Sequence, residues 1–208
     1  MFLETLTVGP IETNCYILAA DTGEAAVIDP GAEADKVLAV IERHALAVQY
    51  ILLTHYHFDH TGAVPAVREA TGAPVCIHAR EAQPLAEPPM VFRLFAPGGA
   101  TPIVADRLLN DDEVLSLGAL RIACLPTPGH SPGGVTYYLA SEGVAFCGDA
   151  LFAGGIGRTD FVDASSADLI RAIRERLYTL PPETIVYPGH GPRTTIAAER
   201  SSNPFVRP

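Results

Sequence analysis

The stretch Thr54-His55-Tyr56-His57-Phe58-Asp59-His60 places three imidazoles and a carboxylate directly after the apolar run 50–53. A short apolar run of this kind predicts a buried strand. His55 and His57 are two residues apart, and side chains at that spacing project the same way from an extended chain, so both can reach one metal ion. Imidazole nitrogen and carboxylate oxygen suit zinc, iron or manganese. The stretch therefore predicts part of a metal site.

Three more strand-like runs end in residues that can bind metal. Together with the first stretch they supply enough ligands for two ions. We predict that the chain turns into a helix at Asp59 and His60, where both side chains can face a second ion. One ion would take His55, His57 and His130, the other would take Asp59, His60 and His190, and Asp149 would lie between them. Paired ions about 3.5–4 Å apart can generate hydroxide at neutral pH and polarise a carbonyl or phosphoryl oxygen.

An alternative interpretation is that these are ordinary surface or capping side chains. It is disfavoured because mostly exposed residue types rarely gather after four separate buried runs. The two remaining histidines are interpreted differently. His44 lies at the end of a predicted helix, where a histidine suits the helix dipole, and His78 follows a strand without a partner motif. We predict no catalytic role for either.

Composition limits the class of protein. The chain has 208 residues, 48% of them apolar, and a net charge of −10. This apolar content can build a substantial core, while no apolar run approaches the roughly 18 residues that cross a membrane, and we expect no signal peptide. An acidic chain without a basic run argues against a nucleic-acid partner. The four cysteines stand singly in apolar contexts, which is typical of reduced thiols, and we predict a cytoplasmic protein.

Turn residues divide the chain into strands and helices. Apolar residues at helical spacing predict helices around 37–45, 64–70 and 169–177, the last with a capping box at Ser165 and Asp168. Several strands followed by a helix, twice over, predict two sheets covered by helices in one domain, 1–208. Strands are predicted at Phe2–Val8, Cys15–Ala20, Ala25–Ile28, Tyr50–Leu53, Pro74–Ile77, Glu113–Leu117, Leu120–Leu125, Val135–Leu139, Val144–Cys147 and Thr184–Tyr187.

Residues 84–102 interrupt this succession of predicted strands and helices. Seven prolines and glycines in the segment exclude a long regular element. Between them lies the short apolar stretch Met90–Phe95. Two interpretations stay open for it: a loop segment packed on the core, or a wall or lid of the active site.

The order of the ligand types resembles that of the metallo-β-lactamase superfamily. The pattern is H-x-H-x-D-H at 55–60, followed by His130, Asp149 and His190. The resemblance implies an α/β fold of the αββα sandwich type, with two mixed β-sheets flanked by helices and the metal centre at one edge of the sheets. It also implies two divalent ions, with zinc favoured and iron or manganese as alternatives.

Within the superfamily the chain is most similar to small bacterial glyoxalase II-like hydrolases, through segments 128–133, 148–152, 157–160 and 188–192. That resemblance implies hydrolysis of a small-molecule thioester, typically S-D-lactoylglutathione. Two departures weaken the prediction of glutathione as the thiol carrier. Only 193–208 follow the last ligand, which is too short for the helical domain that helps long glyoxalase II enzymes to grip glutathione. The loop at Gly157-Arg158-Thr159 also differs from the lysine and aromatic of those enzymes.

The main alternative belongs to another reaction class. Persulfide dioxygenases share the superfamily pattern and a Gly-Arg-Thr-Asp-Phe loop, which matches 157–161. They use one iron, held by residues that correspond to His55, His130 and Asp149. The segment 188–190 favours the hydrolases, because the dioxygenases typically carry an alanine before that histidine. A binding module without enzymatic activity would not need a full ligand set.

These patterns lead to a hypothesis for the mechanism. A hydroxide between the two ions attacks the thioester carbonyl, and Asp59 both binds metal and orients the hydroxide. Arg158 can contact an acidic substrate from the loop after Asp149. The alternative for Arg158 is a salt bridge with Asp160 that fixes the loop.

Overall fold

The structure is a computed structural model, and it describes residues 1–95 and 100–207. The described residues form the strands β1 Phe2–Val8, β2 Thr13–Ala19, β3 Glu24–Ile28, β4 Ala47–Leu52, β5 Val75–His78, β6 Arg107–Leu109, β7 Val114–Leu117, β8 Leu120–Pro126, β9 Val135–Leu139, β10 Val144–Gly148, β11 Leu151–Phe152, β12 Gly155–Ile156, β13 Ile185–Pro188 and β14 Thr194–Thr195. Their helices are α1 Ala34–Arg43, α2 Phe58–Thr61, α3 Val64–Thr71, α4 Ala82–Ala86, α5 Met90–Phe95, α6 Ser166–Ala172 and α7 Ile196–Ser202. A 3-10 turn, Ala79–Glu81, precedes α4, and a π-helical turn, Ile173–Leu177, continues α6.

Twelve of these strands build two mixed sheets, which confirms the predicted fold class. The first has the order β1-β2-β3-β4-β5-β6, and the second β14-β13-β10-β9-β8-β7. The first sheet is antiparallel at β1-β2-β3 and parallel from β3 to β6. In the second, β10 and β13 are parallel, whereas the other pairs are antiparallel.

Side chains that alternate along the strands define the layers. In β2, Leu18 packs between the sheets together with Tyr137 and Phe146 of the second sheet. Its neighbour Ile17 faces the other way and packs with the helices α1 and α3. On the outer face of the second sheet, α6 and the π-helical turn cover β10 and β13. Because successive strand residues point to opposite faces, each sheet buries both of its sides, and the layers run helix, sheet, sheet, helix.

The structure supports part of each interpretation of the segment 84–102. Met90–Phe95 is a short helix rather than a loop, but its Phe92 is buried in the core, as the first interpretation expected. Flanking prolines bound the helix on one side without interrupting it. Its residues Val91 and Phe92 line the cleft described below, as expected of an active-site wall. Pro97, Gly98 and Gly99 lie outside the described residues. No helix in the described part of the chain is long and apolar enough to cross a bilayer.

Candidate metal centre

Four strands end at the same edge of the sandwich, and the loops that follow them carry the candidate ligands. The ends of β4, β8, β10 and β13 are each followed within eight residues by at least one of these side chains. The parallel pairing of β10 with β13 brings their carboxyl ends to one place. The structure brings together all seven predicted side chains: His55, His57, Asp59, His60, His130, Asp149 and His190.

The first group consists of the three histidines His55, His57 and His130, and we call it the three-histidine group. Each offers a ring nitrogen within 4.8 Å of the other two. The Nδ1 atom of His57 lies 3.0 Å from Nε2 of His130. All three rings are buried. Convergent imidazole nitrogens in a dry site are the donor set that zinc and similar cations take from proteins.

The second group consists of Asp59, His60 and His190, and we call it the aspartate group. Its ligand-type atoms also lie within 4.8 Å of one another. Oδ2 of Asp59 is 3.2 Å from Nε2 of His190 and 3.5 Å from Nε2 of His60. A carboxylate and two imidazoles form a harder donor set than three imidazoles.

Asp149 lies between the two groups. Its Oδ1 is 3.3 Å from Nε2 of His60, in the aspartate group. Its Oδ2 is 3.5 Å from Nε2 of His130 and 3.6 Å from Nε2 of His190. One carboxylate therefore reaches both groups, as a ligand shared by two cations must.

The orientation of the rings fits a cation. The Nδ1 atoms of His60, His130 and His190 bond outward, to Asp29 Oδ2 and to the backbone oxygens of Arg158 and Ile11. These bonds leave Nε2 of each ring pointing inward, which is how outer hydrogen bonds orient metal-binding histidines. Nε2 of His55, Nε2 of His60 and Oδ1 of Asp149 are buried and make no hydrogen bond. Because buried polar atoms are normally paired, such atoms converging on one point fit a cation-binding site.

Metal ligands must be neutral imidazoles or ionised carboxylates, and the pKa shifts of His55, His57 and Asp59 favour those forms. Burial lowers the pKa of His57 to about 3 and that of His55 well below its usual range, with help from neighbouring histidines. Burial opposes ionisation of Asp59, but His60 and His190 outweigh it and hold its pKa below the ordinary value. Burial also disfavours charge on His60, yet Asp59 and Asp149 raise its pKa well above normal. A cation would replace that proton.

Asp29 supports the site, although the sequence analysis did not identify it. Its Oδ1 accepts from the backbone N–H of Thr54 at 2.8 Å, and its Oδ2 accepts from the Thr54 hydroxyl at 2.6 Å and from His60 Nδ1. The same hydroxyl lies 3.0 Å from Nδ1 of His55. One buried carboxylate thus orients a histidine in each group. Acidic residues after strands are common in turns, so the sequence offered no specific signal for this role.

Glu81 is a second buried carboxylate that the sequence did not identify. It has no exposed surface. It accepts hydrogen bonds from the backbone N–H groups of Tyr56 and Gly133. Burial nevertheless raises the pKa of Glu81 to about 7.

A cleft of about 590 Å³ opens onto both groups. Phe92 and Phe161 lie next to each other in its wall, with ring centroids 6.0 Å apart and 4.8 and 5.1 Å from that of His57. Arg158 also lines the cleft, where its guanidinium lies 4.9 Å from the Phe161 ring centre and pairs with Asp160. The volume and the mostly apolar wall suit a small organic ligand.

The two histidines without a predicted role lie outside both groups. His44 caps the C-terminus of α1, as expected from the helix pattern. His78 is buried, and its Nε2 lies 3.0 Å from Asp111 on the surface.

Comparison with known proteins agrees with this fold and site. The sequence profile of the metallo-beta-lactamase superfamily matches residues 8–190, and the chain belongs to that family. It is 41% identical to the probable metallo-hydrolase YqgX of Bacillus subtilis, over 97% of this chain and 95% of that protein. It is 36% identical to the hydroxyacylglutathione hydrolase GloC of Haemophilus influenzae, over 99% of this chain and 98% of that protein.

Solved structures give the same result. The B3 metallo-beta-lactamase BLEG-1 superposes with a TM-score of 0.92 at 41% identity, covering 99% of each chain. TTHA1623, solved in a di-iron-bound form, has a TM-score of 0.89 at 37% identity, with 98% of this chain and all of that chain covered. Family membership and the buried histidine–aspartate cluster together define a candidate metallo-hydrolase.

Proposed function

We propose that this protein is a metal-dependent hydrolase that cleaves a small-molecule thioester such as S-D-lactoylglutathione. The observation that carries the proposal is the presence of two complete ligand groups with Asp149 between them. Similarity to a hydroxyacylglutathione hydrolase over nearly the full length of both chains supports the substrate class. The seven residues would hold two divalent ions. Zinc suits the donor set, and the di-iron form of TTHA1623 supports iron as an alternative.

The bound cations would supply hydroxide at neutral pH and polarise the thioester carbonyl. The protein's own residues supply the rest. Asp59 stays ionised, because its pKa is held down, and its Oδ2 also accepts a hydrogen bond from the Thr13 hydroxyl at 3.2 Å. That carboxylate can therefore bind metal and orient the attacking hydroxide. Phe92 and Phe161 exclude water from one side of the three-histidine group.

A persulfide dioxygenase is the second candidate. The Gly157–Phe161 loop favours it, since it matches that class of enzyme in sequence. One iron held by His55, His130 and Asp149 would suffice for such an enzyme. A single iron at that position would leave the aspartate group without an ion to bind. The assembled aspartate group therefore favours the hydrolase.

Oxygen dependence separates the two candidates. We expect anaerobic, metal-loaded protein to release thiol from S-D-lactoylglutathione, because hydrolysis needs only water, and we expect a strong chelator to abolish this release. Because the Gly157-Arg158-Thr159 loop differs from that of the long glyoxalase II enzymes, we expect a higher KM than theirs at an intact chemical step. Thiol release is followed with a thiol reagent under argon. Absence of cleavage, together with O₂ uptake on glutathione persulfide, would instead assign the dioxygenase function.

Arg158 is the proposed contact for an acidic part of the substrate. Its guanidinium pairs with Asp160 through contacts of 3.0 and 2.8 Å, but both side chains are mostly exposed. An exposed ion pair contributes little to stability, so a substrate carboxylate can compete for the arginine. We expect Arg158→Gln to raise KM for S-D-lactoylglutathione by about fivefold with kcat unchanged.

The matched variant is Asp160→Asn, which removes the competing carboxylate and keeps Arg158. Its KM should equal or fall below that of the wild type. Steady-state kinetics on both variants provide the measurement. An unchanged KM in Arg158→Gln would show that the ion pair only fixes the loop.

A further inference from the structure

The buried carboxylate of Glu81 joins two loops that come from different sheets. Glu81 ends the 3-10 turn that follows β5. Its Oε2 accepts from the backbone N–H of Tyr56 at 2.9 Å, and its Oε1 accepts from the backbone N–H of Gly133. Tyr56 lies between His55 and His57, whereas Gly133 is three residues after His130. One side chain thus bonds to both chain segments that form the three-histidine group.

Steric contact at Gly133 supports the same connection. A Cβ atom at this position would lie 2.7 Å from Cβ of Arg80 and 3.1 Å from Cγ of Glu81. The His130 loop is therefore packed directly on the 3-10 turn. A side chain of any size at 133 would push the loop away from Glu81 and lengthen the bond.

The aspartate group is held by other contacts. Asp29 bonds to His60, the Thr13 hydroxyl bonds to Asp59, and the backbone oxygen of Ile11 accepts from His190. Glu81 makes no hydrogen bond to any of these residues. One further link, from Val135 N–H to the Thr54 carbonyl, also joins the two loops of the three-histidine group. Glu81 thus acts on one half of the site, together with this backbone bond.

We infer that Glu81 is a positioning residue that sets the distance between the His55–His57 segment and the His130 loop, and thereby the metal affinity of the three-histidine group. The inference rests on the proposed function, because it requires that this group holds a cation. It predicts a selective effect, since a residue that merely stabilises the fold would change metal binding in both groups alike.

The test uses Glu81→Gln in two backgrounds. Glutamine keeps the volume but turns an NH₂ toward one of the two amide donors, so one bond is lost. His190→Ala weakens the aspartate group and leaves the three-histidine group complete, whereas His130→Ala does the reverse. We expect Glu81→Gln to reduce zinc affinity, measured by competition with a chromophoric chelator, by about 10–100-fold in the His190→Ala background. In the His130→Ala background we expect less than a twofold change.

Two further variants control for folding. Glu199→Gln alters another buried carboxylate, which accepts from Gly154 N–H and the Thr194 hydroxyl; it should lower the melting temperature without selective loss of zinc. Gly133→Ala keeps every charge and should reproduce the selective loss, so the inference stays testable if Glu81→Gln folds poorly.

The outcomes test the role of Glu81 separately from the proposed hydrolase function. Wild-type protein that binds fewer than two ions and cleaves no thioester would overturn the proposed function. Wild-type protein that binds two ions and cleaves thioester would uphold it. In that case, equal zinc losses in the two backgrounds, or no loss in either, would overturn the role of Glu81 alone.

Discussion

Replacing Asp149 by alanine should abolish both metal loading and turnover. The carboxylate lies between the two groups, with Oδ1 3.3 Å from His60 Nε2 and Oδ2 3.5 Å from His130 Nε2. Asp59 cannot replace it, because Asp59 belongs only to the aspartate group. Outer-shell changes in metal sites already cost about 10–100-fold, and loss of a shared ligand should exceed a hundredfold. Elemental analysis after dialysis and the thiol-release assay measure the two effects.

The matched control is Asp163→Asn, which removes one carboxylate charge outside both groups. Asp163 accepts from the Tyr56 hydroxyl at 2.7 Å and belongs to neither group. The Asp163→Asn variant should keep two ions per chain. A loss of metal in Asp149→Ala would then not follow from the change in net charge. Unchanged metal content in Asp149→Ala would refute its role as a shared ligand.

The candidate ligands could be predicted because each of them follows a buried strand. Strand ends are recognisable from short apolar runs, and strands of two facing sheets bring their ends to one edge. Predicting how they group also required the chemistry of metal ligands. Two sites need the seven donors to be divided into two sets, with one carboxylate shared. The structure places His55, His57 and His130 in one set and Asp59 and His60 in the other, as the count indicated. Their binding of metal stays a prediction.

The supporting residues could not be predicted, because their roles depend on contacts between segments distant in sequence. Asp29 bonds to His60 across 31 residues, and Glu81 bonds to Gly133 across 52. In the sequence alone, each is an acidic residue near a turn. Burial without exposed surface, which distinguishes Glu81 from a solvated glutamate, exists only in the folded chain.

Some elements were too short for a periodic pattern. The strands β11, β12 and β14 have two residues each, and β6 has three. Apolar periodicity needs a longer window, so pairing with a neighbour decides whether such segments become strands. The helix at 90–95 was not predicted for a related reason. Six apolar and basic residues between prolines fit a helix or a loop equally well, and packing of Phe92 against His57 decides between them.

Gly31→Ala should disrupt the aspartate group and destabilise the protein. A Cβ at this position would lie 1.7 Å from the backbone oxygen of Asp59 and 2.8 Å from its carbonyl carbon. Backbone atoms cannot rotate away as a flexible side chain can, so α2, which carries Asp59 and His60, must move. Overpacking of this kind costs about 1–3 kcal/mol. We therefore expect a lower free energy of unfolding in chelator-treated protein and the loss of one of the two ions.

The matched control for Gly31→Ala is Gly155→Ala. A Cβ at Gly155 would approach no atom closer than 3.6 Å, from Cβ of Phe152, which is ordinary contact. For a chain of this size, 1 kcal/mol corresponds to about 2–4 °C in Tm, so thermal unfolding without metal resolves the two variants. The difference in Tm between Gly31→Ala and the wild type should grow when zinc is present. Bound metal stabilises only the folded state that binds it, and Gly31→Ala would bind less zinc. An unchanged zinc-dependent rise in Tm would show that α2 tolerates the displacement, and that the close contact at Gly31 does not position Asp59 and His60.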